Sequence, residues 1–400
     1  MPSQSSKEKT FSEDEIKILS FSNQSSEDKK LLKKFIAFHW QHYLNESQFI
    51  PLLNYEYLGF KLIGIHGFFE PNNLFFKHAE MRFFLAMKGD EVVGRCNAFV
   101  NYNHNKHWND KVGFFGQFET VEDQNVANQL LQAATDWLKT KDMDTIRGPQ
   151  NLPVNEATPG VMTDGFDSRS VIYYMYNKPF YADLLKKAGF EPVKRVFSWE
   201  VPVMNPHYEI LEKMAKETIE KSGVTIETWG ERPLEQRKKE MLEIYNDAWN
   251  DNFGFVPFTE EEFDVIVQDM QLIMDKSLFV IVYVQGEPAG FFGGVPNINE
   301  KMKPLSFCKK CELLRAAKML LTKGGVKGFR LGYLGVKRKF QRLGLALVML
   351  WQQKIYAQKK GYEYCDVGWV LEDNIPVIKL IEMMQGPLSK TYTIFEKRIR

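Results

Sequence analysis

The sequence predicts an α+β protein made of two similarly ordered halves, and three observations lead to that prediction. The chain has 400 residues, more than one ordinary domain core requires, so two domains are the default expectation. In each half, runs of β-type residues are followed by amphipathic helical patterns. The same order of elements recurs at a spacing of roughly 190 residues, which favours two copies of one fold over two unrelated domains that share only generic alternation.

The first half, residues 13–205, is predicted to follow a disordered tail at residues 1–12. Its elements are a helix over Ser26–Leu44, a hairpin turning at Gly89 and Asp90, a strand over Gly113–Glu119, a helix carrying Val126 to Leu138, a strand from Thr145, a helix over Lys178–Ala188 and a last strand through Val201. Gly189 is the expected stop of the third helix.

The second half, residues 206–400, repeats this order. Its elements are a hairpin over Leu278–Val295 with a turn at Gly286, a strand over Gly328–Val336, a helix over Leu343–Lys360, a strand over 362–370, a short helix over Asn374–Met384 and a closing strand over 391–399. We place the junction between the halves near Met204 to His207.

The composition of the chain excludes some classes of function. Lys and Arg total 52 against 51 Asp and Glu, so the net charge of +1 provides no field for nonspecific nucleic-acid binding. The 44% hydrophobic and 26% charged residues are typical of a folded protein. Aromatic residues reach 14%, which indicates either thick cores or an apolar channel for a long-chain ligand.

The chain shows none of the usual signs of export. The N-terminus lacks the charged, apolar and small-residue order of a secretory signal, no apolar run is long enough to span a bilayer, and four cysteines are too few for a disulfide scaffold. We therefore expect a cytoplasmic protein. Cys308 and Cys311 form a C-x-x-C pair, but no second pair completes a tetrahedral zinc site, so no metal is expected.

The most specific motif is the basic loop Val336–Ala346, which lies between a predicted strand and a long helix. A loop that opens a helix presents several backbone N–H donors and the positive end of the helix dipole to a diphosphate. Gly344 allows close approach of the phosphates, and Ala346 keeps the next contact small. The loop lacks the G-K-[ST] of a nucleotide P-loop and the G-x-G-x-x-G of a dinucleotide site, so ATP, GTP and nicotinamide cofactors are not expected.

With this loop in place, Gly328 to Lys397 resembles the core of the GNAT acyltransferases, whose Q/R-x-x-G-x-G/A loop binds the pyrophosphate of acetyl- or acyl-coenzyme A. The resemblance implies two tandem GNAT-like domains, each with a mixed, mostly antiparallel sheet flanked by helices. It also implies a splayed strand whose free backbone pairs with the pantetheine. The implied cofactor residues are Leu334, Gly335, Val336, Gln341, Arg342, Leu343, Gly344, Leu345, Ala346 and Asn374.

The resemblance extends over nearly the whole chain to bacterial proteins with a GNAT-like fold in each half. It is carried by RGPQNLPVNEATPGVMTDGF and YNKPFYADLLKKAGF in the first half and WVLEDN in the second. Bacterial ceramide synthases, which acylate the amine of a sphingoid base, lie near this group.

The catalytic residues depart from the GNAT pattern. Ile381 stands where many GNAT enzymes have a Tyr that protonates the leaving thiolate. Tyr392 is the replacement candidate, with a packed strand aromatic as the alternative. Glu372 is the candidate base that deprotonates the acceptor amine, and its alternatives are a solvated loop residue or a helix cap.

The first half has two acids, Glu122 and Asp123, where the phosphates would lie, so we expect one coenzyme A site per chain, in the second half. A polar cluster in the first half is a candidate for acceptor recognition, with loop surface as the alternative. Its members are His104, His107, Glu119, Asn151, Asn155, Glu156 and Asn177. The asparagine-rich context indicates a loop around His104 and His107.

Residues 301–330 combine nine cations with one acid and a set of leucines. This pattern is typical of a helix that lies on an anionic membrane, and equally of a surface helix packed on its own domain or of cations that attract coenzyme A.

Taken together, these residues predict an N-acyltransferase that moves an acyl group from acetyl-CoA or a longer acyl-CoA to a small-molecule or lipid amine, including a sphingoid amine. No nucleic-acid partner is expected. Two other hypotheses stand beside it: a non-catalytic acyl-CoA sensor, and a peptidoglycan-type aminoacyltransferase that would ignore coenzyme A.

Overall fold

The computed structural model describes residues 15–60, 66–304 and 311–400. The predicted tail at residues 1–12 and Cys308 of the C-x-x-C pair lie outside these residues. The strands are β1 (Ile16–Phe21), β2 (Ala79–Lys88), β3 (Glu91–Asn101), β4 (Val112–Thr120), β5 (Thr145–Gly148), β6 (Val161–Asp164), β7 (Glu191–Pro202), β8 (Val224–Thr228), β9 (Phe279–Val284), β10 (Glu287–Pro296), β11 (Gly328–Val336), β12 (Tyr364–Leu371) and β13 (Leu388–Arg398).

The α-helices lie between these strands and cover both faces of the sheet. They are α1 (Ser26–His42), α2 (Asn54–Leu58), α3 (Tyr102–Trp108), α4 (Gln124–Thr140), α5 (Tyr181–Lys187), α6 (Tyr208–Ser222), α7 (Leu234–Ala248), α8 (Glu260–Gln271), α9 (Glu312–Thr322), α10 (Leu345–Lys360) and α11 (Ile375–Met383). The predicted α+β class, with a mixed and mostly antiparallel sheet flanked by helices, is confirmed.

One continuous sheet runs through the described part of the chain, in the order β1-β2-β3-β4-β5-β13-β7-β12-β11-β10-β9-β8, with β6 paired to β13. The two halves exchange their last strands. Strand β7, which ends the first half, pairs with β12 of the second half, and β13 pairs with β5 of the first half. The division at residues 205 and 206 therefore does not coincide with a division of the sheet.

Helices pack on each face because the strands alternate their side chains. In the second half, Val280 and Val282 of β9 face a core formed with α6 and α10. The alternate residues of the same strand, Phe279, Ile281 and Tyr283, face a second core formed with α7, α8 and α9. The first half is built likewise, with α4 and α5 on one face and α1 on the other.

Two parallel strand pairs separate partway along their length. Strand β11 pairs with β12 only from Gly328 to Leu331, and β4 pairs with β5 only from Val112 to Phe114. Beyond these residues, each pair opens into a wedge between its strands. In the second half, the open stretch of β11 leads directly into the basic loop.

Candidate active site

The open wedge of the second half borders a cleft that contains about 1320 Å³ of empty space, its mouth included. The second half contributes Leu331 to Leu334 of β11, Val367 to Leu371 of β12, and Asn374 and Val377 at the start of α11. The first half contributes Phe99, Asn101, His104, Phe114, Arg147, Gly148, Gln150, Val154, Asn155 and Pro159. Both halves therefore form one site.

The loop after β11 has the shape that anion binding requires. Residues Arg338–Leu343 form a 3₁₀ turn, Gly344 adopts a left-handed φ of 73°, and α10 begins at Leu345. The first amides of an α-helix have no partner within the helix and carry the positive end of its dipole. Gln341 and Arg342 are exposed, whereas the Leu345 side chain is buried in the core beneath.

Part of the positive charge of this loop is already neutralised. Lys337 Nζ lies 2.5 Å from an oxygen of Glu243, Lys339 pairs with Glu287, and Arg338 lies 3.4 Å from Asp251. Arg342 has no ion pair with any residue that the structure describes, which leaves its guanidinium as the cation best able to meet a phosphate.

Beyond Leu331, strand β11 faces the cleft with an edge that no strand of the described chain covers. Leu334 lines the cleft, and Gly335 lies under the ring of Trp249, which a side chain at that position would meet at 2.2 Å. Trp249 also lines the cleft. The glycine therefore lets an aromatic ring lie against the open edge.

Glu156 is a buried carboxylate that contacts a side chain of this strand. Tyr333 of β11 lines the cleft, and its hydroxyl donates to Glu156 Oε1 over 3.5 Å, while Glu156 Oε2 is buried without a hydrogen-bond partner among the described residues. Burial raises the pKa of Glu156 to about 7, despite opposing hydrogen bonds from its own backbone and the charge of Arg330. A carboxyl with such a pKa can accept a proton near neutral pH.

The Arg330 guanidinium holds this part of the site together. Its Nη1 donates to the backbone oxygens of Glu156 and Ile172, at 3.2 Å and 3.1 Å, and its Nε donates to the Gly368 oxygen of β12 at 2.9 Å. One buried cation thus ties the loop of the first half to the wedge of the second.

His104 lies on the wall that the first half contributes. It belongs to α3, whose first amides are capped by the Asn101 side chain, so the expectation of a loop around His104 and His107 was wrong. The His104 ring packs edge-on against Phe114, and its Nε2 is buried without a hydrogen-bond partner in the described ranges. Unpaired buried polar atoms are rare in native proteins, so this nitrogen is suited to a bound molecule. His107 instead contacts the Asn250 backbone oxygen.

Three other polar residues predicted for acceptor recognition have structural contacts instead. Glu119 forms a buried ion pair with Arg95, with Oε2 2.5 Å from Nε. The Asn151 amide oxygen accepts from the Gln117 backbone, and the Asn177 side chain bonds both backbone groups of Met162. None of the three lines the cleft, and Glu156 does not line it directly either, whereas Asn155 does.

Neither sequence-predicted catalytic residue reaches the cleft. Glu372 is bound by the backbone and guanidinium of Arg195, at 3.0 Å and 2.8 Å. Burial would raise its pKa, but these hydrogen bonds and the Arg195 charge lower it below the usual value, which makes a weaker base. Tyr392 is fully buried and donates to the Met175 oxygen at 2.9 Å, and burial raises its pKa well above the usual value. It is a packed strand aromatic, as the alternative interpretation had it.

The matching wedge of the first half is closed by its own chain. Gln150 N donates to Phe115 O at 2.7 Å, and a side chain at Gly116 would meet the Gln150 oxygen at 2.0 Å. At the start of α4, the Asp123 carboxylate accepts from the amides of Asn125 and Val126. An acidic side chain of the protein thus occupies the amides that a phosphate would need.

A smaller apolar pocket lies on the far side of Tyr245 and Tyr333, which it shares with the cleft. Its empty space is about 410 Å³ when the opening to solvent is included, and the enclosed part is about large enough for one water molecule. Its other lining residues are Trp229, Met241, Phe258, Phe263, Ile266, Val267, Met270, Met274, Phe279 and Phe291. A pocket with this lining suits a hydrocarbon chain.

Sequence reasoning missed Tyr333, Tyr245, Trp249 and Arg330, which shape the cleft. Their residue types are common in cores, and no local pattern marks them. No group of three or more His, Cys, Asp or Glu in the described ranges is arranged to hold a metal ion.

Comparisons with known proteins agree with this architecture. The sequence profile of the Acetyltransferase (GNAT) family matches residues 238–386. A bacterial ceramide synthase from Caulobacter vibrioides is 31% identical over 82% of this chain and 86% of its own length. Protein YghO from Escherichia coli is 27% identical over 93% of this chain and 94% of its own length.

Solved structures show the same fold. A tandem GNAT protein from the clavulanic acid biosynthesis pathway superposes with a TM-score of 0.54 at 10% identity, covering 96% of this chain and 99% of that one. A GCN5-related N-acetyltransferase from Sphaerobacter thermophilus gives 0.51 at 14% identity, with 96% of each chain covered. The chain belongs to the GNAT superfamily as an acyltransferase of tandem architecture, which confirms the predicted resemblance.

Proposed function

We propose that this protein transfers an acyl group from acyl-coenzyme A to the amine of a lipid, in a single site between its two halves. The observation that carries this proposal is the open edge of β11, which borders the cleft and continues into the left-handed Gly344 turn at the start of α10. The donor then lies along the edge with its diphosphate at the turn, as in the family to which the chain belongs.

Coenzyme A would be held mainly by backbone groups. The amides from Gln341 to Ala346 bind the diphosphate, with the Arg342 guanidinium as the neighbouring cation. The open edge at Leu334 to Val336 pairs with the pantetheine and donates to the thioester oxygen as charge develops there. Asn374, at the start of α11, lines the same cleft.

The acceptor would attack as a neutral amine, after its ammonium proton has passed to solvent, and Glu156 would act as the base. Glu156 lies behind Tyr333 and does not line the cleft, so a proton reaches it through the Tyr333 hydroxyl or water. The amine nitrogen attacks the thioester carbon and forms the new C–N bond, the proton that this nitrogen then gives up passes to Glu156, and the C–S bond breaks to release coenzyme A as its thiolate. The proton taken up by Glu156 returns to that thiolate through Tyr333 or water. Tyr333 is suited to this because its hydroxyl contacts Glu156 and its ring lines the cleft.

A lipid amine is favoured as acceptor because apolar and aromatic side chains dominate the cleft walls. The relative from Caulobacter vibrioides is named a ceramide synthase, and a ceramide is an N-acylated sphingoid base. The apolar pocket behind Tyr245 and Tyr333 has the lining that an alkyl chain requires, and it would admit one if its aromatic side chains moved apart. His104, on the wall that the first half contributes, has the unpartnered Nε2 to which we assign a hydroxyl of the acceptor.

Gly344→Glu tests the diphosphate site, with Gly361→Glu as the matched control. Gly361 ends the same helix and has a similar left-handed φ of 77°, but no atom lies within 4 Å of its would-be side chain. The Gly344 substitution places a carboxylate where the phosphates bind. We expect coenzyme A affinity to fall by about 100-fold or more, because a factor of this size corresponds to the repulsion between two like charges a few ångströms apart. Calorimetry measures binding, and release of free thiol from palmitoyl-CoA with sphinganine measures turnover.

The proposal fails if Gly344→Glu binds coenzyme A as the natural chain does. It also fails as an enzymatic proposal if the natural chain binds palmitoyl-CoA but releases no thiol with any of a panel of lipid and soluble amines. That second result would favour an acyl-CoA sensor, consistent with the buried Ile381 in place of the usual acid.

A further inference from the structure

Helix α9 buries a charged residue and exposes apolar ones, which is the reverse of an ordinary surface helix. Its arginine, Arg315, is fully buried, while leucines around it point outward. The Arg315 guanidinium donates to the Met302 oxygen at 2.7 Å and to the Pro51 oxygen at 2.9 Å, and it lies 4.9 Å from the centre of the Trp40 ring. These contacts fix the rotation of the helix, because turning it would leave a buried cation without its acceptors.

The outward side of α9 is consequently apolar. We call Leu313, Leu314, Leu320 and Leu321 the leucine face; they are 66%, 50%, 49% and 86% exposed. Leu272, at the end of α8, is also exposed and lies next to α9, since Lys323 Nζ donates to the Leu272 oxygen at 2.7 Å. A contiguous exposed patch of this kind indicates an interaction surface.

Exposed cations accompany the leucine face, while the neighbouring acids accept hydrogen bonds from backbone amides. Lys318 lies on α9 itself, and Lys303 follows Met302, whose oxygen binds Arg315 of α9; both lysines are exposed and have no ion pair with any described residue. Glu312 accepts from the Asn54 backbone, and Glu300 accepts from the Lys327 and Gly328 backbones. The surface around α9 is therefore both apolar and positive.

We propose that α9 lies in the headgroup layer of an anionic phospholipid bilayer, with the leucine face inserted and the lysines contacting lipid phosphates. This combination of leucines and cations on one side of a helix is the one that such binding requires. A second copy of the chain fits less well, because a symmetric contact would place this positive surface against itself, with like charges facing each other.

The position of the face relates it to the site. Met319, on the inner side of α9, packs in the same core as Val267 and Met270 of α8, and those two residues line the apolar pocket. A bilayer bound at α9 would thus be one helix layer away from the pocket proposed for an alkyl chain. The proposal itself concerns only the surface and does not depend on turnover.

Cosedimentation with vesicles tests the proposal without any substrate. Two kinds of vesicle are used: an anionic mixture of phosphatidylglycerol and phosphatidylcholine, and phosphatidylcholine alone. The natural chain, the double variant Leu320→Glu/Leu321→Glu and the single variant Lys318→Glu are each mixed with both. Leu388→Glu is the matched control, because Leu388 is 50% exposed on β13, whereas Leu320 is 49% exposed. We expect binding to the anionic vesicles only, weakened about 10-fold or more by both α9 variants and unchanged in the control.

Each other outcome would overturn the proposal. Equal binding by the natural chain and the double variant would show that another surface holds the membrane, and absence of binding to anionic vesicles would show that none does. Analytical ultracentrifugation provides the remaining check. A dimer that the double variant dissociates would show that a second copy covers the leucine face. Circular dichroism of each variant establishes that it is folded.

Discussion

Glu156 is the residue on which the proposed chemistry depends most directly. It comes from the first half, it lies against a tyrosine of the second, and one of its oxygens has no partner in the described chain. Such a group costs stability and is expected where function requires it. Its role can be separated from that of Glu372, the other candidate base, because the two carboxyls have pKa values shifted in opposite directions.

Glu156→Gln is expected to lower kcat by about 100-fold or more, the usual contribution of a general base. In the natural chain, the rate should rise with pH through about pH 7, where Glu156 loses its proton. The variant should lose this rise, whereas Glu372→Gln should keep it. A pH profile of thiol release measures both, and a profile altered only in Glu372→Gln would contradict the assignment.

The same substitution has a predictable effect on stability. The pKa of Glu156 is raised in the folded chain from 4.5 to about 7, so the folded state binds more protons than the unfolded state between these values. Stability from this group is therefore present at low pH and is lost as pH rises through about 7. Glu156→Gln should match the natural chain below about pH 4.5 and exceed it above about pH 7, by on the order of 3 kcal/mol at most. Urea unfolding at both pH values measures the difference.

At the scale of elements, the two wedges differ because the chain takes a different course after each parallel pair. In the first half, residues 149–151 return into the wedge, and Asp123 caps the helix that would otherwise bind phosphate. In the second half, β12 continues away from β11, and Gly344 leaves the amides of α10 open to a ligand. In the proposed function, the second half therefore provides the coenzyme A site, and the first half provides the facing wall of the cleft.

We therefore expect one coenzyme A per chain. Calorimetric titration should saturate at one equivalent, and Gly344→Glu should remove that binding rather than half of it. A second equivalent that survives in Gly344→Glu would show that the first half also binds the donor.

Elements with strong local signals were predictable from the sequence. The hairpin turning at Gly286 and the helix after the basic loop were predicted within a few residues of β9, β10 and α10, because turn chemistry and helical periodicity are local. Helix α3 was not, because its asparagines indicate a loop, although Asn101 acts as the helix N-cap. Strand exchange and the Glu156–Tyr333 contact depend on long-range pairing, which no local pattern encodes.

At the scale of the whole molecule, the exchanged strands join the halves more firmly than a linker would. Strand β7 has β13 on one side and β12 on the other, so the first half depends on residues of the second for its sheet, and the reverse also holds. We propose that residues 13–205 and 206–400 are two GNAT-like copies that fold only together.

Splitting the chain between residues 205 and 206 tests this interdependence. Each fragment expressed alone should lack cooperative unfolding and should aggregate, because β5 or β12 would have an unpaired edge. Coexpressed fragments should copurify and unfold in one transition. A fragment that unfolds cooperatively by itself would show that its half is complete without the exchanged strand.

The exchange also determines when the protein can assemble during its synthesis. Strand β13 follows all the other described strands along the chain, yet it occupies the middle of the sheet, between β5 and β7. Strands β5 and β7 therefore keep an unpaired edge until β13 has emerged from the ribosome. Nascent chains of this architecture should depend on chaperones for longer than proteins whose N-terminal half closes by itself.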